Sequence, residues 1–147
     1  MRMEHTVVIR RPPAEVFAYL TDVAKLPEWQ TSAAEASVEG EMRLGAQVRE
    51  VRILLGRRAA STLEVSEFEP GHKFSLRVVT GPLPFEVRHT LTEEDGGTRL
   101  DWEGEADTSK FPRIAVRMVA GAVEAQFKAD LERLKSRLES RASEPLP

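Results

Sequence analysis

From about Ala34 to Asp107 the chain alternates apolar and polar residues with a period of two, and breaks rich in glycine, proline and aspartate cut that stretch at short intervals. No other feature constrains the fold as much. Successive side chains of a strand point to opposite faces, so this period means strands with one face buried and the other in water. The breaks fall at Glu39-Gly40, Gly56-Arg57, Glu69-Pro70-Gly71, Gly81-Pro82 and Asp95-Gly96-Gly97. They delimit six strands near residues 34–39, 46–55, 58–68, 73–80, 84–93 and 98–106. Connections this short join antiparallel neighbours, whereas a parallel pair needs a crossover of about a dozen residues or more. An antiparallel meander is predicted.

The later strands declare their faces. Phe74, Leu76 and Val78 alternate with Ser75, Arg77 and Val79; Phe85, Val87, His89 and Leu91 with Glu86, Arg88, Thr90 and Thr92; Leu100, Trp102, Gly104 and Ala106 with Arg99, Asp101, Glu103 and Glu105. An apolar face of that size must be covered. The cover is a helix over about Phe111 to Arg141. There Ile114, Met118, Ala122 and Gln126 share one line, and Val119, Val123, Phe127, Leu131, Leu134 and Leu138 form the adjacent stripe. Gly121 and Ala122 put small residues in mid-helix, which suggests room over the sheet.

Ahead of the meander, His5 to Arg11 is rich in β-branched residues and stops at Pro12-Pro13, a strand ended by residues that cannot donate to a ladder. A short helix follows over Pro13–Thr21, with Val16, Phe17 and Leu20 on one face. A second is expected from Asp22 to Trp29, with Asp22 as N-cap and Pro27 near its end. The reading is one α+β domain over residues 1–142, with a frayed tail at 143–147 and seven strands in all.

Composition removes several function classes. A net charge of −3 speaks against a dedicated nucleic-acid surface, which needs basic patches, and Arg10-Arg11 and Arg57-Arg58 have acidic neighbours. The absence of cysteine removes disulfides, thiolate ligands and a cysteine nucleophile. His5, His72 and His89 lack metal-ligand spacing, and neither a Gly-x-Ser-x-Gly elbow nor a phosphate-binding glycine loop is present. No apolar run approaches the ~18 residues of a membrane span, and the first residues lack the apolar core of a signal peptide. A cytoplasmic chain without stable membrane insertion, metal or tightly bound cofactor is expected, as monomer or homodimer.

The order strand, two short helices, six-strand meander and long helix resembles the START-like (Bet v 1-like, helix-grip) superfamily. More narrowly it is similar to the bacterial polyketide cyclase/dehydrase and lipid-transport (SRPBCC) branch. The carriers are Val7-Val8-Ile9-Arg10-Arg11-Pro12-Pro13-Ala14-Glu15-Val16-Phe17, then Leu20-Thr21-Asp22 and Leu26-Pro27-Glu28-Trp29. The resemblance implies a curved sheet gripping the last helix, with a cavity between them for lipids, sterols, polyketides, hormones or quinones. A minority of such proteins catalyse cyclisation or dehydration there, and fold analogy does not choose between the roles.

Trp29, Leu76, Val87, His89, Trp102, Met118, Val119, Ala122 and Gln126 are the candidate ligand-binding residues, while Phe74 and Phe85 read as core. His89 shares the inward parity of Val87 and Leu91. It is either a hydrogen-bonding or proton-moving group at the ligand, or a core histidine satisfied by its neighbours. Tyr19 either offers a phenol to the cavity or caps the core. Arg49 shares parity with Val51 and Ile53, and the resemblance implies an inward arginine that polarises a substrate oxygen; Val48 and Leu54 favour the opposite phase. The leading expectation is a carrier of a hydrophobic or amphipathic small molecule. The alternatives are a polyketide-type aromatase/cyclase or dehydratase using His89, Tyr19 or Arg49, and an interaction protein using an exposed surface.

Overall fold

A computed structural model of the chain describes residues 1–54 and 56–140. In chain order the elements are β1 (Arg2–Ile9), α1 (Pro13–Thr21), a 3-10 turn (Val23–Lys25), α2 (Leu26–Trp29), β2 (Ala33–Val38), β3 (Gln47–Leu54), β4 (Arg57–Glu69), β5 (Lys73–Thr80), β6 (Phe85–Glu94), β7 (Gly97–Ala106) and α3 (Arg113–Ser140). The seven strands make one antiparallel sheet in the order β1-β7-β6-β5-β4-β3-β2. This is the α+β helix-grip architecture, and the meander and long helix fall where the alternation put them. The expected frayed tail at 143–147 lies outside the described residues.

Local chemistry explains the punctuation. Asp95 and Gly96 both sit at positive φ, 50° and 80°, between the paired residues Glu94 and Gly97. A two-residue hairpin loop requires that conformation to match the strands' twist, and Asp-Gly supplies it. Pro12 and Pro13 end β1 and open α1, with proline in the first turn where its missing N–H costs nothing. β1 begins at Arg2, earlier than expected, because its whole length pairs with β7 from Arg2↔Glu105 to Ile9↔Thr98. The single helix expected over Asp22–Trp29 is instead a 3-10 turn and a four-residue helix. Pro27 lies in the first turn of α2 rather than near an end, and Asp22 makes no side-chain cap bond.

The core gathers at one end of the concave face. Ile9, Val48, Val65, Phe74, Leu91 and Leu100 are buried there, and Val16, Phe17 and Leu20 of α1 pack down on them. Phe17, Phe68 and Phe74 meet edge to face, with ring centroids 5.4–6.4 Å apart.

α3 behaves differently along its length. Leu131, Leu134 and Leu138 are fully buried, and the helix packs on β1 and α2. In its first half, Ile114 is 71% and Met118 78% exposed, and Ala122 is exposed too. The line expected to face the sheet through Ile114, Met118 and Ala122 therefore faces solvent. The half-buried residues there are Val116, Ala120, Val123 and Phe127, which continue the line of Leu134 and Leu138. Residues 114–123 are apolar nearly all round apart from Arg117, so periodicity alone could not select the inward line. Gly121 also points away from the sheet: a Cβ there would meet nothing within 4 Å.

Candidate functional site

The concave face has a filled end and an open end. Opposite the aromatic cluster, inward positions carry small or half-buried side chains: Ala36, Ala59, Ser61, Val78, Val87 and Gly104. Pairing of β5 with β6 stops at Arg77↔Glu86, so the strands part beyond it toward Thr80 and Phe85. A depression of about 690 Å³ straddles the sheet rim at that parting, with Val78, Phe85 and Ala106 from the inner face and Arg77 and Arg88 from the outer face in its wall. The loop that leads to α3 closes one side of it, through Asp107, Thr108 and Ser109. A second hollow, of about 750 Å³, lies along β2–β4 and involves mainly outward-facing residues, among them Glu35, Ser37, Arg49, Val51 and Thr62, together with Ala36, Glu50 and Ser61 of the inward parity.

Between the two ends lies Trp102. Its indole is 3% exposed, stacks on Phe127 of α3 with centroids 4.8 Å apart, and lies across Gly104. A Cβ at 104 would come within 2.7 Å of the ring. Because Phe127 holds the ring from above, Gly104→Ala is expected to overpack this contact and cost about 1–3 kcal/mol. Thermal melting and a shift in tryptophan emission check it; an unchanged Tm and spectrum would mean the ring is loosely held.

One wall of the chamber is polar. In β3 the parity places Val48, Glu50 and Arg52 inward, against Leu63, Ser61 and Ala59 of β4. Glu50 is 3% exposed, while Ile53 of the opposite parity is 42% exposed. The usual order is inverted, with charges inside and aliphatic residues outside. Arg52 Nε and one terminal nitrogen donate to the two Glu50 carboxylate oxygens at 2.7 and 3.2 Å. Its remaining bonds run to Gln30 Oε1 at 2.7 Å and Ser32 Oγ at 2.9 Å. Between those two residues, Thr31 donates its N–H and hydroxyl to Asp130 Oδ1 of α3, and Gln126 donates to the Thr31 hydroxyl, all at 3.3 Å. A continuous polar seam thus joins β3, the turn before β2, and α3. Burial raises the Asp130 carboxyl above its ordinary pKa, against the opposing Thr31 bonds and the charges of Arg133 and Arg52. Asp130 Oδ2 is buried without a hydrogen-bond partner among the described residues.

His89 is 4% exposed and stacks on Phe74 with centroids 5.9 Å apart. Its Nδ1–H donates to the Phe74 carbonyl at 2.9 Å, which fixes the tautomer and leaves the Nε2 lone pair buried and unpartnered. Burial lowers its pKa to about 4, although the Phe74 bond opposes this, so the ring is neutral at pH 7.

Of the other expected residues, Trp29 is buried in the core and Leu76 lies on the chamber floor beside half-buried Val87. Gln126 is half-buried in the seam, whereas Met118, Val119 and Ala122 are exposed. The Tyr19 phenol is spent outside the chamber, donating to Glu28 Oε1 at 2.9 Å with Lys25 over its ring. Arg49 is corrected outright. It is exposed on the outer face, since buried Val48 sets the parity of β3 and brings Arg52 inside. Glu50, Arg52, Gln30, Ser32 and Asp130 were not anticipated. The one signal for them is the spacing of Glu50 and Arg52, opposite charges two residues apart on Val48's face. No group of three or more His, Cys, Asp or Glu among the described residues could hold a metal ion.

The family described as polyketide cyclase/dehydrase and lipid transport matches residues 1–139, nearly the whole chain. The chain belongs to that family. Among solved structures, the cyclase/dehydrase-like chain is similar to the ZhuI aromatase/cyclase from Streptomyces sp. R1128, with 20% identity, a TM-score of 0.81, and 97% of this chain and 95% of that one covered. A protein from Thermus thermophilus matches at 16% identity and TM-score 0.79, covering 97% and 100%. A START superfamily protein from Mycobacterium smegmatis matches at 16% identity and TM-score 0.74, covering 95% and 97%. Such low identities establish a shared fold. No curated protein matches this family member.

Proposed function

We propose that the chain binds and carries a hydrophobic or amphipathic small molecule, lipid-like or polyketide-like, at the open end of the concave face under α3. The observation that carries this reading is the gradient along that face. Bulky side chains fill the end beneath α1, and alanine, serine and valine floor the other, where the sheet parts and the covering helix is half-buried at most. Apolar burial would supply the affinity, at roughly 25 cal/mol per Å² before the costs of binding. The polar seam at Gln126, Asp130 and Arg52 would orient a hydroxyl or carbonyl head.

The histidine favours a carrier over an enzyme. A general base works best with a pKa near the operating pH. His89 lies far below that and sits among the filled-end aromatics rather than at the open floor. Titration of a naphthalene-sulfonate dye should give saturable enhancement of its fluorescence. Val87→Trp, whose indole would occupy the floor beside Gly104, should weaken dye binding about ten-fold with folding retained. Equal binding by wild type and a folded Val87→Trp variant would refute the location.

A further inference from the structure

The first half of α3 carries a second pattern that ligand binding does not use. Phe111, Ile114, Met118 and Val119 are exposed large apolar side chains clustered within nine residues, the last three on two successive turns of one helix. Beside them stand Lys110, Arg113 and Arg117, and residues 108–123 contain no acidic side chain. Arg113 and Arg117 are one turn apart, on the line next to Ile114 and Met118. None of the three cations forms an ion pair within 4 Å among the described residues; the nearest acid acting on Lys110 is Asp107, itself bonded to the Ser109 N–H. The chain as a whole is net negative, so the cations form a local exception.

We propose that this segment is a peripheral docking surface for a bilayer containing anionic phospholipid. Apolar side chains on one arc with unpaired arginines along its edge are the chemistry of an interfacial helix: the apolar arc enters the acyl boundary while the guanidinium groups stay among the phosphates. Each cation near such a surface contributes about five-fold in partition. A second copy of the chain packed antiparallel on this stripe would set both Arg113–Arg117 lines side by side, an unfavourable like-charge contact. Transmembrane insertion is a different matter: among the described residues no helix is long and apolar enough to cross. The surface borders the open end of the chamber, yet the proposal stands without the carrier reading, since docking requires no ligand.

Vesicle flotation tests it with the full chain, using phosphatidylcholine alone and phosphatidylcholine mixed with phosphatidylglycerol. The wild type should float with the mixed vesicles, less so in high salt, and about ten-fold or more weaker with the neutral ones. Ile114→Ser/Met118→Ser and Arg113→Glu/Arg117→Glu change exposed side chains, so both should keep the wild-type Tm and lose about ten-fold or more in flotation. The proposal is overturned if the wild type ignores anionic vesicles, or if both folded variants float as well as it does. It is equally overturned if sedimentation velocity shows a wild-type dimer that the serine variant dissolves without any vesicle binding.

Discussion

Arg52→Met should lower the stability of the folded chain by about 3 kcal/mol, a drop in Tm on the order of 10 °C for a chain of this size. The guanidinium is the only donor group bonded to Glu50, whose side chain is 3% exposed, among the described residues. Removing it leaves a buried carboxylate without a partner and strips Gln30 and Ser32 of their donor. An unpaired buried charge is the costly state, whereas losing both charges together is cheap. The double change Glu50→Leu/Arg52→Met should therefore recover more than half of the loss. Urea denaturation of the wild type and the variants measures the interaction directly. If Arg52→Met alone stays within about 1 kcal/mol of wild type, the seam does not hold the turn before β2 against the sheet.

The second large effect is a pH dependence set by His89. In the folded chain its pKa is about 4, against an ordinary 6.5. Between those values the unfolded chain binds a proton that the folded chain refuses, so stability falls as the solution is acidified. The full stability is present above about pH 6.5, and about 3 kcal/mol is lost by pH 4. Asp130 acts with the opposite sign, because its raised pKa lets the folded state take up a proton more readily than the unfolded one. His89→Gln keeps a donor for the Phe74 carbonyl and removes the titration. Denaturation series on both proteins should diverge through this window, the glutamine variant being flatter. Parallel profiles would mean the imidazole reaches solvent in the folded state.

What the sequence made legible follows from how local each feature is. Alternation along β6 and β7 named the inward residues because both strands carry an apolar row against a polar or charged one. β5 follows through Phe74, Leu76 and Val78, although its outward row of Ser75, Arg77 and Val79 holds a single charge. β3 does not: in the sequence only Val48 and Leu54 favour that phase, and the positions between them on the same face are Glu50 and Arg52. Their burial depends on Gln30 and Ser32, some twenty residues earlier in the chain, arriving within hydrogen-bonding reach. Asp130 is hidden for the same reason, since only the folded turn brings Thr31 to it. In α3 the failure is of another kind. The stretch after Arg113 is apolar on almost every side, and two candidate stripes compete there. The leucines at 131, 134 and 138 settle the inward line for the helix as a whole, and following that line back by helical geometry leads to Val123, Ala120 and Val116 rather than to Met118 and Ile114.

Carriage of an apolar ligand beside Trp102 is best tested by fluorescence quenching with a brominated fatty acid, because bromine quenches indole only near contact. Trp29→Phe leaves Trp102 as the sole tryptophan, excited apart from Tyr19 at the red edge of the absorption band. Saturable quenching of that emission at about one fatty acid per chain, relieved by an unbrominated competitor, is the predicted result. Emission unchanged up to the solubility of the fatty acid, in a variant that still melts cooperatively, would contradict a ligand chamber under α3.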